Sequence, residues 1–237
     1  SAANLARLTL ELGGNDAGIV LPGTDVEAVA DTLFWGAFMN TGQVCAALKR
    51  LYVHDSVYEE TVAALAARAE AAPIGSGHDK SNRLGPVQNP AQFDIVARLV
   101  DDARDRGARI VTGGEPAPEP GPLFYRPTIV ADVDDDAAVV AEEQFGPVLP
   151  VIRYSDVDDA IRRANGTEQG LGASVWGADA DAATAVAERL DAGTVWINQH
   201  GGVDPSIPFG GTKASGYGLE FGVEGLKAMA ATKVIRR

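Results

Sequence analysis

The chain reads as an α/β protein, a three-layer αβα arrangement around a mostly parallel sheet. Three observations predict it. Short apolar runs of strand length alternate with helical stretches of about 10–15 residues, the pattern of βαβ units. Runs such as Leu51-Tyr52-Val53 are apolar at consecutive positions, as in strands covered on both faces. The intervening stretches carry one apolar stripe each at helical spacing.

Leu8-Thr9-Leu10-Glu11-Leu12 alternates like a short strand and stops at Gly13-Gly14. Gly18-Ile19-Val20-Leu21 is a second apolar run, closed by Pro22-Gly23. Thr24 and Glu27 stand in capping-box spacing, and the helix they open puts Val26, Val29, Ala30, Leu33, Phe34 and Ala37 on one face. It is expected to end near Asn40-Thr41-Gly42. A strand follows from Leu48 to His54, and Ser56 with Glu59 opens a helix to about Ala71. Pro73 to Asn89, rich in Gly, Ser and Asn, reads as a surface loop. Pro90 suits the first position of a helix capped by Asn89, with Phe93, Val96, Ala97, Val100 and Ala103 inward and Gly107 as the stop.

Arg109 to Val111 is a strand and Gly113 to Gly121 a loop. The alternation continues with a strand at Val148–Tyr154, a helix at Asp156–Ala164 and a strand at Leu171–Trp176. A helix at Asp179–Leu190 and a strand at Thr194–Asn198 then lead into a Gly-rich segment, 201–222. A last strand is expected at Thr232-Lys233-Val234-Ile235; with nothing after it to pair with, it is a candidate arm onto another subunit. No repeat or linker divides the chain, which reads as one domain, its core at about 14–213 and its C-terminal segment at 214–237.

Hydrophobic residues at 46% and charged ones at 22% have the balance of a soluble globular protein. The net charge of -13 repels nucleic-acid phosphates and anionic lipid, so neither is an expected partner. No apolar run approaches the roughly 20 residues that cross a bilayer. The start shows no signal peptide and no Met, and reads as processed or truncated. Cys45 is the only cysteine, which excludes an intrachain disulfide and a thiolate metal cluster and suits the reducing cytoplasm. His54, His78 and His200 share no ligand spacing, so no metal is expected.

Cys45 lies in a turn, Met39 to Leu48, between a helix and a strand. A lone cysteine is commonly an inert small hydrophobe. Sites in open α/β sheets form outside the carboxyl ends of strands, however, and Glu11, the Cys45 loop and the 198–211 segment all lie at or shortly after strand or helix ends. A thiolate with a carboxylate base is a known arrangement for covalent acyl chemistry, provided dipoles or a cation depress the thiol pKa.

Four stretches resemble, in order, motifs of the aldehyde dehydrogenase superfamily: Leu10-Glu11-Leu12-Gly13-Gly14, Gly42-Gln43-Val44-Cys45, Glu142-Glu143-Gln144-Phe145-Gly146-Pro147, and Pro208 to Gly216. Glu11 and Cys45 stand 34 positions apart, as that family has them. The resemblance implies the catalytic-domain fold of that family and an oxidoreductase turning an aldehyde into a carboxylic acid with NAD or NADP. It implies Cys45 as nucleophile, Glu11 as the base for thioester hydrolysis, and the Cys45 N–H as an oxyanion donor. Glu143 resembles the carboxylate on the nicotinamide ribose, with Phe145, Leu12, Gly13 and Gln92 as further cofactor contacts. Met39, Val44, His200 and Phe209 are the expected walls of an aldehyde channel.

In that family an N-terminal half supplies the pyrophosphate and adenine contacts and a second oxyanion donor. This chain begins about ten residues before the Glu11 motif, and Gly216 and Gly218 are followed by Phe221 where a Gly-x-Gly-x-x-Gly needs its third glycine. The expectation is a catalytic half without the cofactor-binding half, holding NAD(P) weakly and slow or inactive by itself. Two other readings stay open: a thiol esterase using the same Cys and Glu, and a non-catalytic domain that awaits a partner chain. Apolar surface left uncovered favours a homo-oligomer.

Overall fold

The computed structural model describes residues 2–237. In chain order the elements are β1 (Leu10–Glu11), β2 (Asp16–Val20), α1 (Val26–Phe38), β3 (Leu48–His54), α2 (Tyr58–Ala71), α3 (Pro90–Asp105), β4 (Arg109–Thr112), β5 (Thr128–Ala131) and α4 (Ala138–Ala141). There follow β6 (Val148–Tyr154), α5 (Val157–Asn165), β7 (Gln169–Gly170), β8 (Gly172–Trp176), α6 (Ala180–Ala187), β9 (Thr194–Ile197), β10 (Thr212–Lys213), β11 (Gly216–Tyr217) and α7 (Gly222–Ala228). Seven strands make one sheet in the order β4-β5-β6-β3-β2-β8-β9, parallel throughout except for β4 against β5.

Strand periodicity splits the core in two. Leu51 and Val53 of β3, Ile129 and Ala131 of β5, and Leu149 and Val151 of β6 face α1 and α2, where Leu33, Phe34, Phe38, Tyr58 and Leu65 meet them. Tyr52, Val130 and Ile152 face the opposite layer, built from Val96 and Val100 of α3, Ile161 of α5 and Val186 of α6. Both faces of the sheet are therefore covered, which is why its strands read as continuous apolar runs rather than alternating ones.

Several boundaries differ from the sequence reading, each for a local reason. Thr24 does not cap α1: its hydroxyl donates to the Leu21 and Trp176 carbonyls, and Asp25 accepts from Ala28 N–H instead. The second helix starts at Tyr58, because a tight turn over Asp55–Val57 intervenes and His54 Nδ1 accepts the Ser56 N–H. Asn89 does cap α3, accepting from Gln92 N–H behind Pro90. Strand β5 carries no alternation to betray it, since all four of its residues are buried. The Leu8–Leu12 strand shrinks to β1 and pairs with β11 in a ribbon apart from the main sheet. The expected strand at Thr232–Ile235 is not formed: those residues have no regular structure, with Val234 and Ile235 exposed, and α7 is the last element.

Leu51 sits mid-strand in β3, wholly buried between two neighbouring strands and the α1–α2 layer. Leu51→Ala is expected to lower unfolding stability by about 2–5 kcal/mol, read from urea denaturation, with the spread set by how far the hole collapses.

Candidate active site

The motif residues gather at the amino ends of the strands, not at the carboxyl ends the general rule led us to expect. Gly13-Gly14 leads into β2, Cys45 into β3 and Glu143 to Pro147 into β6; Gly170-Leu171, outside the motifs, leads into β8. Loss of side chains is what lets these lead-ins crowd together. A Cβ on Gly14 would lie 2.4 Å from the Cys45 carbonyl oxygen, and one on Gly13 2.2 Å from Glu143 Oε2.

The turn before Cys45 is backbone under constraint. Asn40 (φ 52°), Thr41 (φ 61°) and Gly42 (φ 71°) are left-handed in succession, an arrangement that costs a β-branched residue such as Thr41 most. Side chains hold it. Thr41 Oγ1 donates to the Gly85 carbonyl and accepts the Gly85 N–H. Gln43 donates to the Asn40 and Pro86 carbonyls and accepts from Gln88 N–H. The loop 73–89 thus braces the turn that presents Cys45.

Cys45 is half-buried on an apolar bed of Ala46, Leu171, Trp196 and Phe209. Burial, first of all, pushes its thiol above the usual range; the Ala46 N–H and the residue's own N–H pull back, while Glu11 and Asp16 push the same way as burial. The depressed thiol pKa asked for by the sequence reading is therefore not provided within these residues. Glu11 is near enough for its charge to act on the sulfur. Its own carboxyl is raised by burial and by the charge of Glu220, against the Gly211 N–H, and Oε1 is enclosed without a hydrogen-bond partner among the described residues.

Glu143 lies across the Gly13-Gly14 backbone, with Oε1 accepting the Gly14 N–H at 3.2 Å. Burial raises its carboxyl, partly offset by Lys49. Its neighbour Gln144 is wholly buried and donates to the Val139 and Lys49 carbonyls. Gln92, expected on the cofactor, donates to the Gln144 carbonyl (2.8 Å) and so steadies the Glu143 turn. Phe145 is half-exposed, with a left-handed backbone (φ 42°) two residues after Glu143.

Of the expected channel residues, Phe209 and Val44 stand at the cysteine, Phe209 in its apolar bed and Val44 half-buried one residue before it. Met39 (51% exposed) lies on the outer edge of the turn, and Leu12 is likewise exposed. His200 does not line a channel. Its ring is wholly enclosed, with Nδ1 2.9 Å from Ser174 Oγ and Nε2 3.5 Å from Asp16. The chain after β9 doubles back, and Gly36 leaves the space that takes the imidazole.

The aldehyde dehydrogenase family model matches residues 1–235. The chain belongs to the aldehyde dehydrogenase family. It is 41% identical to an aldehyde dehydrogenase of Fusarium sp over 235 residues, 99% of this chain and 50% of that one. Among solved structures it resembles a mutant aldehyde dehydrogenase of Bacillus cereus at a TM-score of 0.91 and 38% identity, covering 96% of this chain and 46% of that one. It also resembles the Mycobacterium tuberculosis aldehyde dehydrogenase complexed with NAD+, at 0.90 and 37%, covering 95% and 47%. The chain spans about half the length of the relatives it matches.

Lys49, Asp16 and Glu220 escaped the sequence reading. A Lys-Arg pair inside the apolar run Leu48–Val53 was the signal for the first, since both side chains are buried. Lys49 Nζ donates to the Gly146 carbonyl at 2.8 Å, and burial pushes its pKa down to about 7 although Glu143 and Asp16 oppose this. Glu220 sits in the Gly-rich tail, paired through its backbone with Phe209.

The Lys49 shift has a stability consequence. Between about pH 7 and the ordinary lysine range near 10.5 the unfolded chain holds a proton that the folded chain has lost, so stability rises with pH across that window. Subtracting the Lys49→Met curve from the wild-type curve isolates a rise on the order of a few kcal/mol. A flat difference between pH 7 and 10 in denaturant titrations would show that Lys49 stays charged.

Proposed function

We propose that the chain carries the nucleophile and base of an NAD(P)-linked aldehyde dehydrogenase, Cys45 and Glu11, converting an aldehyde to a carboxylic acid. The observation that carries this reading is the convergence of a half-buried thiol, a half-buried carboxylate acting on it, and Glu143 across the glycines between them.

The sulfur, once deprotonated, adds to the aldehyde carbon to give a thiohemiacetal. The carbonyl oxygen becomes an oxyanion, for which the Cys45 N–H is the donor this chain offers. NAD(P), when bound, supplies the acceptor for the hydrogen and electron pair that leave as the thioester forms. Glu11 then takes a proton from water, the water oxygen bonds to the acyl carbon, and the C–S bond breaks to release acid and thiolate. A raised Glu11 pKa makes it the stronger base.

The cofactor's ribose end fits what is present. Glu143 Oε1 is held by Gly14, Oε2 accepts no hydrogen bond among the described residues, and a ribose hydroxyl is the donor it lacks. NAD against NADP, and the aldehyde, are set by groups beyond these contacts. The reading keeps the division into a catalytic core and a C-terminal segment. It also takes the protein as cytoplasmic, from its single cysteine, and as oligomeric, since Leu8 before β1, Tyr217 on β11, Leu226 on α7, and Met229, Val234 and Ile235 after it are exposed.

In the full-length protein, Cys45→Ala is expected to abolish NAD(P)-linked aldehyde oxidation, and Glu11→Gln to cut turnover by about 10²–10⁴ while a thioester on Cys45 accumulates, seen as added acyl mass. Oxidation surviving in Cys45→Ala would remove the reading. Cofactor-free cleavage of a nitrophenyl ester without any aldehyde oxidation would favour the esterase instead. Because Glu220 raises Glu11, Glu220→Gln is expected to shift the acid limb of the pH–rate profile downward; an upward shift would contradict the assigned base.

A further inference from the structure

Lys49, which none of the steps above calls on, grips the turn behind Glu143 with both of its ends. Residues 143–147 belong to no helix or strand, and Phe145 stands in the left-handed region at φ 42°. A residue with a side chain keeps that conformation only where its surroundings fix the backbone on either side. Lys49, 1% exposed on the central strand β3, does this. Its Nζ donates to the Gly146 carbonyl at 2.8 Å, and its own carbonyl accepts from Gln144 Nε2 at 3.3 Å. The two bonds straddle Phe145. Gln144 is 0% exposed, so water does not compete for its arm of the clasp. Gly42 makes room for the other arm, since a Cβ there would lie 2.6 Å from Nζ and 2.2 Å from the Gly146 oxygen.

Glu143 precedes the clasped residues directly. Its Oε1 accepts the Gly14 N–H at 3.2 Å, so a displacement of the turn by about an ångström breaks that bond. The cysteine turn has its own braces, Thr41 on Gly85 and Gln43 on Pro86 and Gln88, and does not hang on Lys49.

We propose that Lys49 is a positioning residue for the cofactor, holding Glu143 at the ribose by clasping residues 144–146 between its side chain and its own carbonyl. The part that concerns the cofactor rests on the ribose contact of Glu143 proposed above; the clasp does not. It works through hydrogen bonds rather than charge. An amine that has lost one proton still has N–H groups to donate, so the bond to Gly146 outlasts the ammonium. Burial pushes the pKa of that ammonium down to about 7, against Glu143 and Asp16, the two carboxylates that act on it.

The test is nucleotide binding to the full-length protein, read by calorimetric titration with whichever of NAD+ and NADP+ the wild type holds. Hydrogen exchange in the peptide that contains Gly14 is followed by mass spectrometry without nucleotide. Lys49→Met is expected to raise the Kd about tenfold and to speed exchange at Gly14. Iodoacetamide alkylation of Cys45 keeps its rate, Lys49 being absent from the charges that act on the sulfur. The ratio of variant to wild-type Kd is expected to be the same below and above pH 7; a ratio falling to one on the alkaline side would mean that Lys49 acts by charge, and overturns the clasp. Gln144→Met removes the opposite arm and is expected to act in the same direction. With both arms gone the Kd rises by less than the product of the single effects, because they share one turn. An unmoved Kd in Lys49→Met, a full product in the double variant, or Cys45 alkylation slowed as much as binding is weakened overturns the proposal. If Lys49→Met fails to fold, Gln144→Met decides it by the same readouts. Nucleotide binding and aldehyde oxidation with a Kd indifferent to Lys49→Met would sink this inference alone. A wild type that binds neither nucleotide, with Gly14 exchange still faster in Lys49→Met, would sink the proposed function and leave only the clasp.

Discussion

One hydrogen bond ties the site together, that from the buried Lys49 ammonium to the Gly146 carbonyl. Lys49 follows Cys45 by four residues, and Gly146 follows Glu143 by three, so the bond locks the lead-in of β3 to the lead-in of β6. The two loops already touch at Gly42, where an added Cβ would come within 2.2 Å of the Gly146 oxygen and 2.6 Å of Lys49 Nζ. No side chain fits there. Glycine is needed both for that approach and for the positive φ, and the strained Asn40–Thr41 turn follows from the same demand.

Placing a lysine at the centre of a sheet is expensive, and it explains features that otherwise look unrelated. A buried ammonium needs acceptors or negative charge around it, or it gives up its proton. Here it has one carbonyl at hydrogen-bond distance, while the charges of Glu143 and Asp16 act in its favour. Gln144, with no charge, fills the remaining space by donating to the Lys49 and Val139 carbonyls. The surface that carries the candidate site is the outer layer of a buried polar cluster, not a patch added to an apolar core.

The sheet and most of its helices were legible because burial on both faces leaves long apolar runs, as in Leu48–His54 and Val148–Tyr154. β5 was not: four buried residues behind a loop with prolines have no period to read. The site motifs were legible as a resemblance, and Cys45, Glu11, Glu143 and Phe209 do come together. His200 was misjudged because the direction of a side chain after a doubled-back loop depends on a cavity made elsewhere, by Gly36 of α1. Asp16 and Lys49 were passed over because local sequence does not say whether a charge at a strand end will be solvated or enclosed.

The electrostatics also say what the site lacks. Every charge found acting on Cys45 among these residues is negative, and burial adds to their effect; only the N–H groups of Ala46 and Cys45 itself favour the thiolate. Glu11 is held toward its neutral form by the same causes, burial and a neighbouring carboxylate. The two groups proposed to react as thiolate and carboxylate are thus both biased against ionising. A ligand that brings positive charge or hydrogen-bond donors to the sulfur reverses the bias at the moment it binds, whereas a neutral apolar ligand deepens it by excluding water. Reactivity at Cys45 is in this way conditional on what fills the space in front of it, and the fold provides the condition by enclosing the thiol beside carboxylates with no cation acting on it among the described residues.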